Sequence, residues 1–335
     1  MKAGWERSHD LIMPDIKTAG IILKPFLKEK RINQIEPLSG GLNNSNLKIT
    51  TNTDENYVLR IYSNNNKSMD IERKILNLLK DVIPVPQVIY NDSSCSVFKY
   101  PFLILSWVQG VQLSEILYRR NKKEIACAAN EVGKFLAEIH KNKFPFPGFF
   151  DEDLGIQEFI KLDANKFLMY IEDSLAKGHA AKHLGVDLSS ELWKFSNDHA
   201  YLIDHIGEQN SLVHSDFNPL NILVNERESK VNITGILDWE FAFSGSHLID
   251  IGNMLRYENA TDPEFLNPFI SSYQDNGGFL PAKWLQKARL LDLIALCGLL
   301  NKKECGEVRV NDIQGLIFNT MEEWDKYGSV QANFV

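Results

Sequence analysis

The sequence predicts an α+β protein of two lobes, with a sheet-rich N-terminal part and a mostly helical C-terminal part. The chain has 335 residues, which is too many for one ordinary hydrophobic core. Short strand-like patterns fill the region up to residue 107, whereas apolar residues recur at helical spacing after residue 112. Between these regions, Val108-Gln109-Gly110 interrupts the apolar pattern. We therefore expect an N-lobe at 1–107 and a C-lobe at 108–335.

The N-lobe is expected to hold a five-stranded antiparallel sheet with a helix. A polar tail at 1–12, expected to be loose, precedes an amphipathic helix at 14–30. A second helix is expected at 69–80 and an extended run at 87–90, after two prolines that break the helix. The predicted strands are 35–38, 47–49, 57–62, 95–99 and 102–107.

The C-lobe pattern is helical except for one β-hairpin. Helices are expected at 125–140, 157–177, 188–206, 263–276, 281–300 and 311–326. The hairpin is predicted from two apolar runs, 222–224 and 231–237, which flank a polar turn at 225–230.

Polar residues around this hairpin form the pattern that indicates chemistry. His214, Asp216 and Asn221 stand in the order His-x-Asp-x-x-x-x-Asn, and the hairpin returns Asp238 to the side of Asn221. Phosphoryl transfer needs a carboxylate that orients and deprotonates the attacking hydroxyl, and oxygen ligands for magnesium. The spacing matches the protein-kinase signature. We therefore assign Asp216 as the catalytic base and Asn221 and Asp238 as magnesium ligands, and expect His214 only to support the loop. The alternative is a polar loop whose Asx side chains cap turns.

These residues resemble the aminoglycoside phosphotransferase family and its relatives among choline, homoserine and macrolide kinases. The resemblance lies in the His-Ser-Asp form of the first motif and in Asp238-Trp239-Glu240 after the hairpin, where protein kinases have Asp-Phe-Gly. It implies a protein kinase-like bilobal fold, ATP or GTP with Mg²⁺ as cofactors, and transfer to a hydroxyl of a small molecule.

The resemblance also implies which residues bind the nucleotide. Arg60 stands on a strand where kinases place a lysine against the phosphates, and Glu72 on the following helix would hold it. Arginine and lysine are not interchangeable here, because the guanidinium is a planar fork. An exposed strand cation and a solvated helix glutamate remain the alternatives. We place the hinge between the lobes at Val108-Gln109-Gly110, and by the same resemblance the Ser106 carbonyl and the Val108 amide would bind the purine.

A loop rich in glycine, serine and asparagine joins the first two strands. Its backbone amides around Gly41, Asn43 and Asn44 could cover the phosphates, because such residues tolerate unusual dihedral angles and add little bulk. A plain hairpin turn is the alternative.

Composition limits the partners. A net charge of −8 argues against nucleic acid or an anionic membrane as partner. It suits a cationic small molecule, or it serves solubility alone. The four cysteines lack metal-ligand spacing. The first ten residues carry charges where a signal peptide would need an apolar centre, and no apolar run in the sequence reaches the length of a membrane span. We expect a cytoplasmic protein, monomeric or homodimeric.

The expected activity is O-phosphorylation of a cationic small molecule, with an aminoglycoside-like antibiotic as the first candidate. Alternatives are a metabolic kinase for homoserine, choline or a sugar amine, and a nucleotide-binding pseudokinase. A protein kinase is disfavoured because only a short link, 241–246, replaces the activation loop. In antibiotic-modifying relatives, helical insertions line the substrate cleft. The acids to consider in such insertions are Asp151, Glu152, Asp153, Glu158, Glu172 and Asp173.

Overall fold

The computed structural model describes residues 4–7, 9–38, 43–63, 66–204, 206, 209–227, 230–258 and 263–330. Its strands are β1 Ile32–Pro37, β2 Ser45–Thr51, β3 Asn56–Ile61, β4 Val88–Asp92, β5 Phe102–Ser106, β6 Val111–Gln112, β7 Gly148–Phe150, β8 Ile156–Phe159, β9 Ser211–Val213, β10 Ile222–Arg227, β11 Lys230–Ile236 and β12 Phe243–Gly245. Its α-helices are α1 Ile16–Ile22, α2 Lys24–Leu27, α3 Asn66–Leu79, α4 Leu113–Arg119, α5 Lys122–His140, α6 Ala164–Glu172, α7 Ala180–Leu184, α8 Val186–His199, α9 Leu248–Met254, α10 Pro263–Asp275, α11 Trp284–Leu300, α12 Glu307–Glu322 and α13 Trp324–Val330.

The N-terminal sheet is antiparallel throughout, with the described strands in the order β1-β2-β3-β5-β4. The five-stranded sheet is confirmed, but its fifth strand is β4 and not the predicted 95–99. Side chains in that stretch bind the local backbone instead: Asp92 Oδ1 accepts from the Ser94 amide at 2.8 Å, and Ser94 Oγ from the Ser96 amide at 3.2 Å. Such turns compete with a strand, and Cys95 has a left-handed φ of 52°.

The two faces of this sheet pack against different helices. Leu59 and Ile61 of β3 are buried with α1 and α2 on one face. Side chains alternate along a strand, so Arg60 points to the opposite face, where α3 lies. The guanidinium of Arg60 therefore lies buried in the cleft between the lobes.

The N-terminal tail is not loose where the structure describes it. The Trp5 indole is 6% exposed and donates from Nε1 to Asp312 Oδ2 of α12 at 3.0 Å. The Ile12 amide donates to Ser45 Oγ of β2 at 2.8 Å. A buried indole requires a hydrogen-bond acceptor, and α12 supplies it, so the tail contacts both lobes.

The C-lobe core forms around the pair α5 and α10. Gly133 of α5 lies so close to α10 that an added Cβ would meet the Phe269 carbonyl oxygen at 2.2 Å. The predicted helix 157–177 is wrong at its start, because Ile156–Phe159 pairs with β7 as strand β8. Asp163 then caps α6 by accepting from the Lys166 amide at 2.8 Å.

Two small sheets position the polar loops. The predicted hairpin is confirmed as β10–β11, and β10 also pairs with β6, which follows the hinge. Strand β9 pairs with β12, in a sheet of described strands ordered β8-β7-β12-β9. The segment 214–221 therefore joins β9 to β10, and 237–242 joins β11 to β12. No helix in the described part of the chain is long and apolar enough to cross a membrane.

Candidate active site

A buried carboxylate holds the start of the loop 214–221, which we call the catalytic loop. Asp250 of α9 is fully buried, and its two oxygens accept from the amides of His214 and Ser215, each at 2.8 Å. His140 Nε2 lies 3.1 Å from Asp250 Oδ2, and its Nδ1 lies 2.9 Å from the Tyr273 hydroxyl. Burial lowers the pKa of His140. A neutral ring that donates from Nε2 and accepts at Nδ1 satisfies both partners.

His214 joins the catalytic loop to the loop that carries Asp238. Its Nε2 lies 2.8 Å from the Leu237 carbonyl, and its Nδ1 accepts from the Asp216 amide at 3.2 Å. The carbonyl can only accept and the amide can only donate, so the ring is the neutral Nε2–H tautomer. With both nitrogens engaged and the ring fully buried, His214 supports the loop and does not face a substrate.

Asp216 is oriented by two amide side chains. Asn218 Nδ2 donates to its Oδ1 at 2.9 Å, and Asn221 Nδ2 donates to its Oδ2 at 3.0 Å. Ser215, just before it, has a left-handed φ of 70°, a conformation that non-glycine residues adopt at a cost and that occurs at functional sites. Asn218 has no role in the sequence-based assignment. Its position inside the motif was the available signal, because a catalytic carboxylate needs donors that fix its orientation.

The hairpin brings Asp238 to the side of Asn221. The Leu237 amide donates to the Asn221 carbonyl at 2.8 Å. The residue just after β11 is therefore a neighbour of the residue just before β10. Asp238 has a φ of 69°, again in the left-handed region. The two side chains line the same cavity. The structure thus brings together the two residues predicted as magnesium ligands.

Arg60 lies at the centre of the cleft and is 4% exposed. Its Nε is 2.9 Å from Glu72 Oε2, its Nη2 binds Asp238, and its Nη1 donates to Asn46 Oδ1 at 3.3 Å. Burial alone would lower the pKa of Arg60, but Asp238 and Glu72 more than offset this and raise it above its ordinary value. Neither the exposed strand cation nor the solvated helix glutamate describes this pair.

Glu240 is a further acid beside Arg60 that sequence reasoning left without a role. Its Oε1 is 3.6 Å from Arg60 Nη2, and its Oε2 accepts from Asn44 Nδ2 at 2.6 Å. Burial, together with the charge of Asp238, raises the pKa of Glu240 to about 8. The sequence feature that could have indicated this role is Asp238-Trp239-Glu240 itself, because a glutamate two positions after a predicted metal ligand lies on the same loop.

The acids around Arg60 outnumber the single guanidinium. Glu72, Asp238 and Glu240 all lie within 4 Å of it, and a cation bound beside these carboxyl groups would relieve the repulsion that raises the pKa of Glu240. In the described residues, no three His, Cys, Asp or Glu side chains converge on a metal position. The donors Asn221 and Asp238 therefore fit an ion that takes its other oxygens from phosphates and water, as Mg²⁺ does.

A first cavity, of about 370 Å³, lies between the hinge and the N-lobe sheet. This volume is within the range of small-ligand sites. Ser106 and Val108 both line it, and the Val108 amide has no acceptor among the described residues. The walls are apolar on both sides, with Val58, Leu76, Leu105, Val111, Leu223 and Leu237. The structure thus places apolar lining residues from both lobes beside an unused backbone donor. We call it the hinge cavity.

A second cavity adjoins the first and extends past the catalytic loop. The two share Asn46, Arg60, Leu220, Asn221 and Asp238, and only the second is lined by Asp216. We call this second space the loop cavity. Its far wall carries Arg256, Lys302 and Arg309, which sequence reasoning did not find.

The remaining predicted site residues, those of the loop after β1 and the acids of the helical insertions, have different outcomes. Gly41 lies outside the described residues. Asn43 and Asn44 line the loop cavity, where the Asn44 carbonyl accepts from Arg7 Nη2 at 2.9 Å. The acids considered in the helical insertions line neither cavity. Asp151 caps its own loop by accepting from the Asp153 and Gly155 amides, each at 2.8 Å.

Comparison with known proteins places this arrangement in a family. The family model described as "Phosphotransferase enzyme family" matches residues 34–285. A search of curated protein sequences returns no significant match.

Solved structures of aminoglycoside phosphotransferases share the fold. The GDP and kanamycin complex of APH(2″)-IIIa superposes with a TM-score of 0.66 at 19% identity, covering 96% of this chain and 100% of that one. A ternary complex of a thermostable mutant of APH(4)-Ia with AMP-PNP and hygromycin B gives 0.62 at 16% identity, covering 90% and 97%. ADP-bound APH(2″)-Ib gives 0.58 at 19%, covering 92% and 99%. The resemblance read from the motifs and the protein kinase-like bilobal fold are both confirmed, and the chain belongs to the phosphotransferase enzyme family.

Proposed function

We propose that the protein transfers the terminal phosphoryl group of a magnesium-bound nucleoside triphosphate to a hydroxyl group of a small molecule. The observation that carries this proposal is the junction of the two cavities. Arg60, Asn221 and Asp238 line both of them, and Asp216 lies on the loop-cavity side of that junction. A nucleotide in the hinge cavity would therefore present its terminal phosphate to an acceptor beside Asp216.

The hinge side would bind the nucleotide. The base would lie between the apolar walls and accept from the Val108 amide, with the Ser106 carbonyl as the second partner. Arg60, held in orientation by Glu72 at 2.9 Å, would bind phosphate oxygens. Asn221 and Asp238 would hold Mg²⁺, which neutralises charge on the phosphates when bound. ATP and GTP are both candidates, because adenine and guanine each present an acceptor atom to which the Val108 amide could donate.

Asp216 would act on the acceptor. Its carboxylate, fixed by Asn218 and Asn221, would accept a hydrogen bond from the acceptor hydroxyl and take its proton as the oxygen bonds to the terminal phosphorus. The bond from that phosphorus to the bridging oxygen breaks, and the nucleoside diphosphate leaves. The two amide donors restrict the carboxylate to one plane, so less reorganisation is needed in the transition state.

The finer part of the proposal is the acceptor. Two of the neighbouring structures are complexes with kanamycin and with hygromycin B, which supports an aminoglycoside-like hydroxyl compound as the first to assay. A panel of such compounds and of simple amino alcohols, incubated with Mg²⁺ and ATP or GTP, should give acceptor-dependent release of nucleoside diphosphate. Binding of AMP-PNP with Mg²⁺, but no diphosphate release above the acceptor-free rate with any hydroxyl compound, would instead indicate a nucleotide-binding module.

A further inference from the structure

One wall of the loop cavity, formed by residues that do not line the hinge cavity, is basic. We call it the acceptor wall. Its described residues come from the end of α9, from α11, from the segment between α11 and α12, and from α12, and none of them carries a carboxylate. They are Asn253, Arg256, Ala295, Leu299, Lys302 and Arg309.

Arg256 is fixed in this wall by a buried ion pair. Its Nε lies 2.9 Å from Asp292 Oδ2, and its Nη2 lies 2.6 Å from Asp292 Oδ1. Burial would lower the pKa of Arg256, but Asp292 and, to a smaller extent, Asp216 hold it above its ordinary value. Its Nη1 has no hydrogen-bond acceptor among the described residues. The guanidinium therefore has a fixed orientation and an unused donor, within electrostatic range of the catalytic carboxylate.

Arg309 is also buried and incompletely satisfied. It is 3% exposed, its Nη2 donates to the Glu6 carbonyl, and the Trp5 ring lies 5.4 Å from its Cζ. Its Nε has no acceptor in the described part of the chain. A buried guanidinium donor left without a partner is unfavourable, and an oxyanion in the cavity would satisfy it.

Lys302 adds a third cation to the acceptor wall. Its side chain is largely exposed, but partial burial, together with the charge of Arg309, lowers the pKa of Lys302, so these two cations are close enough to repel each other. Two acids on neighbouring helices have partners of their own. Asp292 binds Arg256, and Asp312 accepts from Trp5 Nε1 at 3.0 Å and from the Tyr257 hydroxyl at 2.6 Å.

We propose that the acceptor carries an anionic oxygen group, a carboxylate or a phosphate, which binds Arg256, Lys302 and Arg309 while its hydroxyl faces Asp216. The proposal rests on the phosphotransfer proposed above and narrows its substrate class. It departs from the cationic acceptor expected from the net charge, because a polycationic molecule would meet three cations and no carboxylate among the described side chains that line this wall.

The first test measures anion binding with the nucleotide site filled. The protein is saturated with Mg²⁺ and AMP-PNP, and inorganic phosphate is then titrated by calorimetry. We expect saturable phosphate binding that weakens about tenfold in Arg309→Gln and in Lys302→Gln, through loss of a charged hydrogen bond. Lys303→Gln, an exposed neighbour outside the cavity, should bind as the wild type does. Lys302 is exposed, so its variant is expected to fold even if the Arg309 variant does not. Unaltered phosphate affinity in Lys302→Gln, or no phosphate binding at all, would overturn the anion site.

The second test compares acceptors in matched pairs and separates the two possible anions. D-gluconate is compared with D-glucitol, and D-glucose 6-phosphate with D-glucose, by release of nucleoside diphosphate. We expect the anionic member of at least one pair to have a kcat/KM at least about tenfold higher, and Lys302→Gln to reduce that preference by raising KM. Kanamycin turned over in preference to every anionic compound would overturn this inference and leave the proposed phosphotransfer standing. Failure of AMP-PNP to bind with Mg²⁺ would count against the phosphotransfer itself.

Discussion

The two ends of the loop cavity carry opposite charge. At the nucleotide end, Glu72, Asp238 and Glu240 surround the single guanidinium of Arg60. At the acceptor wall, Arg256, Lys302 and Arg309 line the surface without a carboxylate among the described lining residues. The nucleotide end therefore has more acidic than basic side chains, and the acceptor wall has basic side chains only.

This difference assigns a different partner to each end. The acidic end requires a cation before a triphosphate can bind there, since phosphate would otherwise meet three carboxyl groups. The basic wall requires no cation and attracts an anion. Asp216 lines the same cavity, and in the proposed reaction a hydroxyl held from the wall would meet, beside Asp216, a phosphorus held by the acidic end. The cleft is organised by charge as well as by shape.

The largest effect is expected when the carboxylate of Asp216 is replaced. Asp216→Asn should lower kcat by about 1,000-fold or more, since general-base catalysis contributes up to about 10,000-fold, while AMP-PNP still binds with Mg²⁺. Single-turnover release of nucleoside diphosphate and calorimetry measure the two quantities. Asp325→Asn, an exposed carboxylate on α13, is the matched control. A rate within tenfold of wild type would break the assignment of Asp216 as base.

The next effect concerns the ion pair that holds the basic wall. Asp292→Ala leaves Arg256 buried without its carboxylate, and breaking such a pair costs about 3–5 kcal/mol. Urea unfolding should show that loss of free energy of unfolding. A double variant, Asp292→Ala with Arg256→Met, should recover part of it, because no uncompensated charge remains. Equal stability of the single and double variants would mean that Asp292 does not support the wall through Arg256.

The acidic end is tested by its metal dependence. Asp238→Asn should weaken AMP-PNP binding in the presence of Mg²⁺ by about tenfold to a hundredfold, because a charged oxygen ligand is lost. In the absence of Mg²⁺, binding should weaken less or even improve, since a carboxylate that repels phosphate has been removed. Calorimetry with and without EDTA gives both numbers. An equal loss of affinity in the two conditions would remove Asp238 from the metal site.

The smallest expected effect concerns His247 and the pH dependence of the free energy of unfolding. Burial, with the nearby His140 and Lys143, lowers the pKa of His247 to about 3. Between about pH 6.5 and 3 the unfolded chain binds a proton there that the folded chain does not, so stability falls as pH falls through this window. Above pH 6.5 the residue is neutral in both states and contributes nothing. The slope from one such group approaches about 1.4 kcal/mol per pH unit.

His247→Gln should remove about one proton from the pH dependence of the free energy of unfolding, measured between pH 6.5 and 4.5. His9→Gln, an exposed residue, should leave it unchanged. His140, whose pKa is also lowered by burial, keeps its own contribution in both variants. An unaltered slope in His247→Gln would show that this residue is not held neutral.

The acidic end was predictable from sequence except for Glu240, because its chemistry imposes short spacings. Asp216 and Asn221 lie on one loop, and the alternating residues of β10 and β11 predict the return of Asp238. Arg60 and Glu72 followed from a strand and the next helix. The strand at 88–92 was predicted only as an extended run, 87–90, and its place in the sheet was assigned to 95–99, which the local hydrogen bonds of Asp92 and Ser94 exclude.

The basic wall could not be predicted in the same way. Arg256, Lys302 and Arg309 lie on separate segments of the C-lobe, and each has the sequence appearance of an ordinary surface charge. Their convergence depends on how α9, α11 and α12 pack, which no local pattern encodes. The net charge of −8 suggested a cationic acceptor, but a sum over the whole surface does not determine the sign of one cavity wall.

The central claim is that Asp238 binds the metal while Asp216 faces the acceptor. Electron–nuclear double resonance of Mn²⁺ bound with AMP-PNP, in protein labelled with ¹³C at the aspartate carboxylates, tests it directly. We predict a ¹³C coupling of a directly bound carboxylate that persists in Asp216→Asn and disappears in Asp238→Asn. A coupling that survives in Asp238→Asn, or that is lost only in Asp216→Asn, would contradict the account.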